Sequence, residues 1–319
     1  MARILLTAIG SFSADIVIKE LKAKGHHVIG ADMYPGPWIA DACNVDRFYR
    51  APPAVEGDLF IGFISDVCHD EQIDYVIPLT DPEVDLLCCL KESFLASGTV
   101  LCVPDENTVR LCRNKYRLPI FLNEAGIENI IPTTLLADDA DVEFPMIIKP
   151  VSGRSSQGCH RVADEIKLEY LKNTLNGSDY VRQPLLKGNI VTVDVVRDSL
   201  TGETVCIPRR ELLRNPKGAG TTVEIFEEPE LERISALIAE KVGINGTANF
   251  EFIETAGGEF YFLEINPRFS AGVAFTQMAG YDMVSNHLNC FMGRPIDRKL
   301  SIEKMIIARK YQEYVTMRL

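Results

Sequence analysis

The sequence predicts a chain of two parts, a doubly wound α/β domain followed by an α+β region. Through residue 103, short apolar runs alternate with segments of helical periodicity, which is typical of βαβ units around a parallel sheet. From residue 190 onward, apolar strand patterns dominate, and Gly257-Gly258 joins two of them as expected for a β-hairpin. The 319 residues are enough for two or three domains.

The first part follows the βαβ order from its beginning. A buried-strand pattern over 3–9 leads into helical periodicity over 14–24, and Gly25 ends that helix. A strand pattern over 27–31 completes the first βαβ unit. The patterns that follow predict a helix, a strand, a helix and a strand, at 58–69, 75–79, 84–96 and 100–103. We therefore place the first domain at residues 1–108.

The second part begins with a helical pattern over 108–125 that Pro119 interrupts. An extended segment follows, and then a compact α+β unit with strands at 144–150, 159–162 and 180–183 and a helix at 164–175. The remaining patterns predict strands at 190–196 and 205–208, a polar stretch over 209–222, a helix over 229–242, the hairpin, and closing helices.

Composition excludes several classes of function. The net charge of −12 argues against nonspecific binding to nucleic acid or to an anionic membrane. No apolar run approaches the ~20 residues that span a membrane, and the N-terminal apolar run is interpreted as a strand rather than a signal peptide. The nine cysteines are scattered without a C-x-x-C pair, as expected for free thiols in a reducing cytoplasm.

Two acidic residues, Glu251 and Glu264, lie inside the apolar strands of the hairpin at 249–268, where acidic residues are normally rare. Side chains alternate along a strand, so Glu264 shares one face with Asn266 and Arg268. Like charges on one face repel unless a cation lies between them. Carboxylate and amide oxygens suit Mg²⁺, which usually takes one or two carboxylates together with substrate phosphates.

The register of the hairpin remains open between two possibilities. If the two glycines alone form the turn, Glu251 lies opposite Glu264. If the loop is 255–258, the two carboxylates are diagonal neighbours, roughly 7–8 Å apart. A solvated outer face is the alternative to a cation site. Phe260 and Phe262, placed on the same face by alternation, argue that this face is covered.

A loop of small residues over 152–158 lies between two predicted strands, and its backbone N–H groups suit phosphate oxygens. It is not a Walker A loop, because no G-K-[ST] follows, and a plain hairpin connection is the alternative. Lys149 interrupts the apolar strand before it, where a phosphate or a buried salt bridge must satisfy the ammonium group. Lys115 alone is an ordinary helix residue. Gly10 lacks dinucleotide-fingerprint spacing, which leaves only Asp32 in favour of a nicotinamide enzyme.

Several motifs occur in a telling order: I-I-K-P, the small-residue loop, a strand ending in R-Q-P-L-L, and L-E-I-N-P-R-F-S-A-G. In that order they resemble the ATP-grasp superfamily, in particular the large subunit of carbamoyl-phosphate synthase and the related single-unit amino-acid ligases. The resemblance covers essentially the whole chain. It implies a Rossmann-like pre-ATP-grasp domain at 1–108, a small ATP-grasp lobe with a linking helix at 109–188, and a large lobe with the metal site at 189–319.

The resemblance also implies a role for each matched residue. Contacts to ATP phosphates would come from Lys115, Lys149 and the loop residues Ser152, Gly153, Ser155, Ser156 and Gly158. The adenine would be read by Gln183, Pro184 and Leu186, and the ribose by Asn189, where the family often has Glu. The metal ligands would be Glu251, Glu264 and Asn266, and the catalytic residues Lys149 and Arg268. The acceptor site would be lined by Arg209, Arg210, Arg214 and Arg309.

The implied reaction joins a carboxylate to an amine through an acyl phosphate, with ATP and Mg²⁺ (or Mn²⁺), on an amino acid or a similar small acid. One alternative is phosphorylation of bicarbonate or carbamate, although this chain is long enough for one ATP-grasp unit where the synthase large subunit holds two. A non-catalytic nucleotide-binding subunit is the other. The expected partners are small-molecule carboxylate and amine substrates, with no nucleic acid and no membrane, and the resemblance allows a homodimer.

Overall fold

The protein contains three β-sheets in the residues that this computed structural model describes, which are 1–139, 143–153, 157–216, 218–299 and 301–319. The first sheet is parallel, with the strand order β3-β2-β1-β4-β5. Its strands are β1 (Arg3–Thr7), β2 (His27–Asp32), β3 (Arg47–Arg50), β4 (Tyr75–Pro78) and β5 (Val100–Leu101). The accompanying helices are α1 (Ala14–Ala23), α2 (Asp58–Asp70), α3 (Asp81–Leu87) and α4 (Lys91–Ala96).

Both faces of the parallel sheet are covered, which confirms the predicted doubly wound α/β architecture. Alternate residues of β1 point into different cores: Leu6 is buried in the same cluster as Val17 of α1. Leu5 is buried in the cluster that holds Phe60 and Ile64 of α2. Strands buried on two faces carry continuous apolar runs, and this accounts for the pattern read at residues 3–9.

The helix predicted over 108–125 is interrupted as expected, but at residues 114–116 rather than at Pro119. The two helices are α5 (Glu106–Arg113) and α6 (Arg117–Glu124). They separate after Asn114, whose side-chain oxygen accepts hydrogen bonds from the N–H groups of Tyr116 (3.1 Å) and Arg117 (2.9 Å). Pro119 does not interrupt α6, because it lies in the first turn of this helix, where N–H groups have no intrahelical acceptor.

The second sheet is antiparallel and has the strand order β6-β9-β7-β8. Its elements are β6 (Thr134–Leu135), β7 (Met146–Pro150), β8 (His160–Val162), α7 (Glu165–Thr174) and β9 (Tyr180–Pro184). Leu168 and Leu171 of α7 cover one face by packing with Met146 and Ile148 of β7. Because side chains alternate, Lys149 lies on the opposite face of β7.

The third sheet is antiparallel and has the strand order β14-β13-β10-β11-β12-β15. Its strands are β10 (Asn189–Arg197), β11 (Thr204–Arg214), β12 (Gly220–Ile225), β13 (Gly246–Glu254), β14 (Phe260–Asn266) and β15 (Met305–Ala308). The helices among them are α8 (Pro229–Val242), α9 (Val273–Met278) and α10 (Met283–Met292).

One prediction for this region was wrong and another was incomplete. The polar stretch at 209–222, for which a solvated strand edge was one interpretation, contains the end of β11 and the start of β12. Its charged residues find partners within the sheet, as Arg210 does with Glu224 and Glu254. The last element is strand β15 rather than a helix; it pairs with β12.

The hairpin that carries Glu251 and Glu264 has a loop that differs from both of the loops predicted from the sequence. Its loop spans 255–259, and a β-bulge just before Glu264 brings Glu251 directly opposite that residue. The opposed pair expected from a two-glycine turn is thus present, although the turn is longer. The bulge also reverses the alternation, so Phe260 and Phe262 pack into the core on the other side of the sheet. Their expected position on the carboxylate face was wrong.

Each of the three sheets falls within one of the ranges 1–108, 109–188 and 189–319, and we propose these ranges as the domains. The first boundary lies inside α5, which contacts α3 of the first range and both α8 and β14 of the third. In the described part of the chain, no helix combines the length and the apolar character needed to cross a membrane.

Candidate active site

A cleft of about 560 Å³ lies between the four-stranded and six-stranded sheets. Strands β7 and β9 and the loop after β7 line one side, and β10, β11, β13 and β14 line the other. The N-terminal domain reaches the cleft through Asp81 at the start of α3. Three separately folded parts of the chain therefore contribute side chains to one cavity.

One end of the cleft suits a flat apolar base. Gln183 lines it and is only 4% exposed; its Nε2 donates to Thr133 Oγ1 at 2.7 Å. Its buried Oε1 has no hydrogen-bond partner among the residues that the structure describes. That oxygen is available to an exocyclic amino group, since a buried acceptor is costly to leave unpaired. Pro184 and Leu186 follow on the same wall, with aliphatic residues around them: Ile131, Ile147, Ile190, Ile253 and Leu263.

A buried lysine lies on the wall beyond this apolar end. Lys149 is 5% exposed and makes no ion pair or hydrogen bond within the described ranges. Burial lowers the pKa of Lys149, while Glu264 opposes that effect and Lys115 adds to it. Lys115 Nζ donates to the Gly153 carbonyl at 2.7 Å. Its effect on the pKa of Lys149 indicates that the two predicted phosphate-binding lysines lie near each other. A buried ammonium group without an ion-pair partner is costly, and a phosphate group would satisfy it.

The predicted phosphate loop is described only in part. Gly153 and Gln157 line the cleft, whereas Ser155 and Ser156 lie outside the described residues. Gly158 has φ +69°, and a Cβ there would meet the Pro150 ring at 2.9 Å, so this position requires glycine. Ser152 is exposed next to the lining residue Gly153.

The two predicted metal-binding carboxylates lie on the wall that β13 and β14 form. Burial and the neighbouring Glu264 carboxylate raise the pKa of Glu251. Arg214 Nη2 lies 3.3 Å from Glu251 Oε2 and partly compensates this charge. Asn266 donates its Nδ2 to Asn249 Oδ1 at 3.3 Å, which leaves the Asn266 side-chain oxygen available to a cation.

This donor set fits Mg²⁺ better than a metal that needs a full protein cage. In the part of the chain that the structure describes, no three His, Cys, Asp or Glu residues come together to hold a metal ion. Glu251 and Glu264 supply two carboxylates, and Mg²⁺ takes its remaining ligands from water and substrate phosphates.

Where Asp81 and Arg268 line the cleft, the structure shows a cluster of ion pairs that the sequence did not predict. Arg268 forms a bidentate ion pair with Asp81, with Nε–Oδ1 at 2.7 Å and Nη2–Oδ2 at 2.8 Å. Arg113 donates to Asp81 Oδ1 at 2.6 Å and to Asp85 at 2.6 Å. Burial alone would raise the pKa of Asp81, but the two guanidinium groups lower it to about 2. The available signal was the T-D-P-E sequence after a parallel strand, which places an acid at a helix start.

The four candidate acceptor arginines separate into two groups. Arg209 and Arg214 line the cleft, whereas Arg210 and Arg309 do not. Arg209 is already paired with Asp194 (2.6 Å) and Glu211 (3.1 Å), so it supports the wall.

Arg210 lies on the other face of β11, where it forms a bidentate pair with Glu254 at 2.6 and 2.7 Å. Arg309 donates to the Ala271 carbonyl at 2.6 Å behind the cleft. Asn189, predicted to bind ribose, donates to Glu254 at 3.3 Å and is also absent from the lining. The structure therefore does not bring these three residues to the cleft.

Two protein-family models match the chain. The one described as "PylC-like, N-terminal domain" matches residues 4–102, and "ATP-grasp in the biosynthetic pathway with Ter operon" matches residues 178–313. Among curated proteins, the N-terminal section of the carbamoyl phosphate synthase large chain of Methanopyrus kandleri is 23% identical over 336 residues. Acetyl-CoA carboxylase of Dictyostelium discoideum is 29% identical over 178 residues. These matches cover 95% and 51% of this chain, but only 57% and 8% of the relatives' own lengths.

Solved structures share the fold at low sequence identity. Biotin carboxylase from Campylobacter jejuni, in complex with a β,γ-ATP ligand, has a TM-score of 0.79 at 17% identity, covering 95% of this chain and 74% of that one. The ADP complex of the N5-carboxyaminoimidazole ribonucleotide synthetase purK has a TM-score of 0.76 at 16% identity, with 96% and 81% covered. An L-amino acid ligase from Bacillus licheniformis has a TM-score of 0.72 at 17% identity, with 91% and 74% covered.

Proposed function

We propose that the chain, an ATP-grasp protein with a PylC-like N-terminal domain, is an ATP- and Mg²⁺-dependent carboxylate–amine ligase. ATP-grasp homologues are ADP-forming ligases that form C–N bonds, and ATP-grasp enzymes use ATP and Mg²⁺. The proposed reaction passes through an acyl phosphate. The proposed carboxylate substrate is an amino acid or a similar small acid.

The observation that carries this proposal is the charge arrangement across the cleft. Buried Lys149 lies on one wall and makes no ion pair within the described ranges. The opposed pair Glu251 and Glu264 lies on the other wall, where Arg214 compensates only part of the charge of Glu251. Each group is costly where it is, and each is satisfied by the same ligand, a nucleotide phosphate that carries Mg²⁺. A cleft with a purely structural role would not require the buried lysine or the opposed carboxylates.

The residues divide the work of phosphoryl transfer. An oxygen of the substrate carboxylate attacks the γ-phosphorus of ATP, the bond to the β,γ-bridging oxygen breaks, and ADP leaves. Lys149 and Lys115 would neutralise phosphate charge from the small lobe, and Arg268 would contact the acyl phosphate. Mg²⁺ held by Glu251, Glu264 and Asn266 would supply charge neutralisation on the phosphates.

The second step forms the product bond. The amine nitrogen attacks the acyl carbon, the bond to the phosphate oxygen breaks, and inorganic phosphate leaves with the electron pair while the amine proton passes to phosphate or solvent. No residue among those lining the cleft is needed as a covalent nucleophile. Catalysis then depends on positioning the two substrates and excluding water, as expected for transfer through a reactive acyl phosphate.

A second candidate activity is phosphorylation of bicarbonate or carbamate. It is favoured by the 23% identity over 95% of this chain to the carbamoyl phosphate synthase section. A non-catalytic nucleotide-binding subunit is disfavoured because Lys149, Glu264 and Arg268 all lie in the same cleft. We also propose a cytoplasmic location, supported by nine cysteines that are all free thiols.

The direct test is ADP release with a panel of carboxylic acids and amines, together with trapping by hydroxylamine. Hydroxylamine replaces the unknown amine and converts an acyl phosphate into a hydroxamate, which forms a coloured complex with added Fe³⁺. The proposal predicts Mg²⁺-dependent hydroxamate in stoichiometric amount with ADP for at least one small acid. ADP release that responds to bicarbonate alone, without hydroxamate from any acid, would favour the second candidate. ADP release with none of these substrates would contradict both.

A matched pair of arginine variants on β11 tests which face carries the acceptor. Arg214→Gln is expected to lower kcat/KM for the acid about tenfold with little change in Tm, because Arg214 lines the cleft beside Glu251. Arg210→Gln is expected to leave kcat/KM within about twofold. It should lower stability by about 1–3 kcal/mol, since it removes the bidentate pair with Glu254. The reverse pattern would place the substrate on the other face.

A further inference from the structure

We propose that Asp81 is a positioning residue for Arg268, contributed to the ligase site by the N-terminal domain. The inference rests on the proposed function, since it assigns Asp81 a role in the reaction at that site. Asp81 is 8% exposed and lines the cleft, although it belongs to the parallel-sheet domain. Arg268, its partner, lies 187 residues farther along the chain, just after β14.

The contacts leave the Arg268 side chain little freedom. Its Nε and Nη2 donate to the two oxygens of Asp81 at 2.7 and 2.8 Å, and its Nη1 donates to the Phe269 carbonyl at 2.9 Å. Such a planar, two-bond pair fixes orientation as well as distance. A guanidinium group has five N–H bonds, so two remain, one on each terminal nitrogen, for a substrate in the cleft.

Asp81 is itself held by the framework of its domain. It is the first residue of α3, immediately after strand β4 and the N-cap residue Thr80. Glu83 completes a capping box: its Oε2 accepts from Thr80 Oγ1 at 2.8 Å and from the Thr80 N–H at 3.3 Å. This fixes the first turn of α3.

The position of α3 in the sheet explains how this residue reaches the cleft. The strand order β3-β2-β1-β4-β5 reverses direction between β1 and β4, and Asp81 follows the carboxyl end of β4. In open α/β sheets this switch point is the usual place for binding residues. Here the switch point presents a carboxylate to the arginine of the neighbouring lobe.

The local charges balance without a substrate. Asp81 and Asp85 face Arg113 and Arg268, so two acids offset two guanidinium groups. With the pKa of Asp81 lowered to about 2, its charge persists throughout the neutral range. The ion pair with Asp81 thus fixes the orientation of Arg268 and offsets its charge, so its guanidinium group attracts anions less than an isolated one would. Losing the Asp81 charge would leave Arg113 and Arg268 to repel each other and would release the orientation of Arg268.

The test uses four variants of the full-length protein. They are Asp81→Asn, Asp81→Glu, Arg268→Lys and the double variant D81N/R268K, with Glu92→Gln, an exposed glutamate in α4 of the same domain, as control. Hydroxamate formation gives kcat and KM, and Mg·ADP affinity reports on the nucleotide site separately. Thermal melting identifies any variant that fails to fold. Wild-type activity tests the proposed function, and the ratio of variant to wild type tests the role of Asp81.

Asp81→Asn is expected to lower kcat about 100-fold and to change the Mg·ADP dissociation constant less than about threefold. Asp81→Glu should recover part of the loss, and the control Glu92→Gln should stay within about threefold of wild type. If Asp81 acts through Arg268, the double variant is no slower than Arg268→Lys alone. Wild-type kcat in Asp81→Asn, or multiplied losses in the double variant, would overturn the proposal. If Asp81→Asn does not fold, the same decision falls to Asp81→Glu, whose kcat must lie below that of wild type.

Discussion

Replacing Glu264 with Gln is expected to lower Mg²⁺-dependent turnover about 1,000-fold or more, equivalent to about 4 kcal/mol of transition-state stabilisation. The fold should survive, because Glu264 lies opposite Glu251 and the two carboxylates repel in the absence of a cation. Removing one charge leaves Glu251 without its like-charged neighbour. The melting temperature without ligand should therefore be unchanged or slightly raised.

A second readout separates metal binding from catalysis. Mg·ADP should raise the melting temperature of the wild type, since a ligand that binds only the folded state stabilises it. Glu264→Gln should show a much smaller shift. Glu259→Gln, an exposed glutamate in the loop of the same hairpin, is the matched control and should retain both activity and shift. If Glu264→Gln turns over like wild type, the metal assignment is wrong.

Replacing Lys149 with Met should separate activity from stability. We expect a loss of about 1,000-fold in kcat/KM for ATP, because the ammonium group would be the main cation on the small-lobe side of the phosphates. Stability should not fall. Lys149 is 5% exposed, and burial lowers its pKa, so the charge is a cost in the folded state without nucleotide. Met fills a similar volume without that cost.

The control for this variant is Lys172→Met, an exposed lysine in the last turn of α7 on the same lobe. It should leave ATP kinetics and melting temperature near wild type. Kinetic constants and thermal melts on the two variants decide the matter. A fall in melting temperature for Lys149→Met together with normal ATP kinetics would mean that the lysine serves a structural salt bridge, the alternative that the sequence left open.

The sequence predicted those parts of the site that depend on local order. Lys149 interrupts one apolar strand, and Glu251 and Glu264 interrupt two others, so each is visible as a departure from a simple pattern. The structure places all three around one cleft. The two predicted metal-binding carboxylates lie opposite each other because of a β-bulge. Alternation along one strand could not predict this bulge, because the extra residue depends on the partner strand.

Other parts depended on knowing which side chains share a face. Neighbours Arg209 and Arg210 point to opposite sides of β11, and only Arg209 lines the cleft. The run at 209–222 was predicted only as a polar stretch. Strand alternation was therefore not used to assign its side chains to the two faces of the sheet. The predicted ribose contact of Asn189 was wrong for a related reason, because its side-chain amide donates to Glu254 away from the cleft.

The pairing of Asp81 with Arg268 lay beyond any local pattern. The two residues are 187 positions apart and follow strands of different sheets. Only the arrangement of the parallel-sheet domain against the large lobe brings them together. A sequence pattern could show that Asp81 starts a helix after a strand, but it could not show which charge the carboxylate would meet.

The most direct measurement follows oxygen from the substrate to the product phosphate. Once the hydroxamate panel identifies the acid, it is labelled with ¹⁸O in its carboxylate and incubated with Mg·ATP, the amine and the enzyme. An acyl phosphate requires that one carboxylate oxygen leave with the phosphorus, so the inorganic phosphate should carry one ¹⁸O atom. Unlabelled phosphate formed together with product would contradict the proposed carboxylate activation.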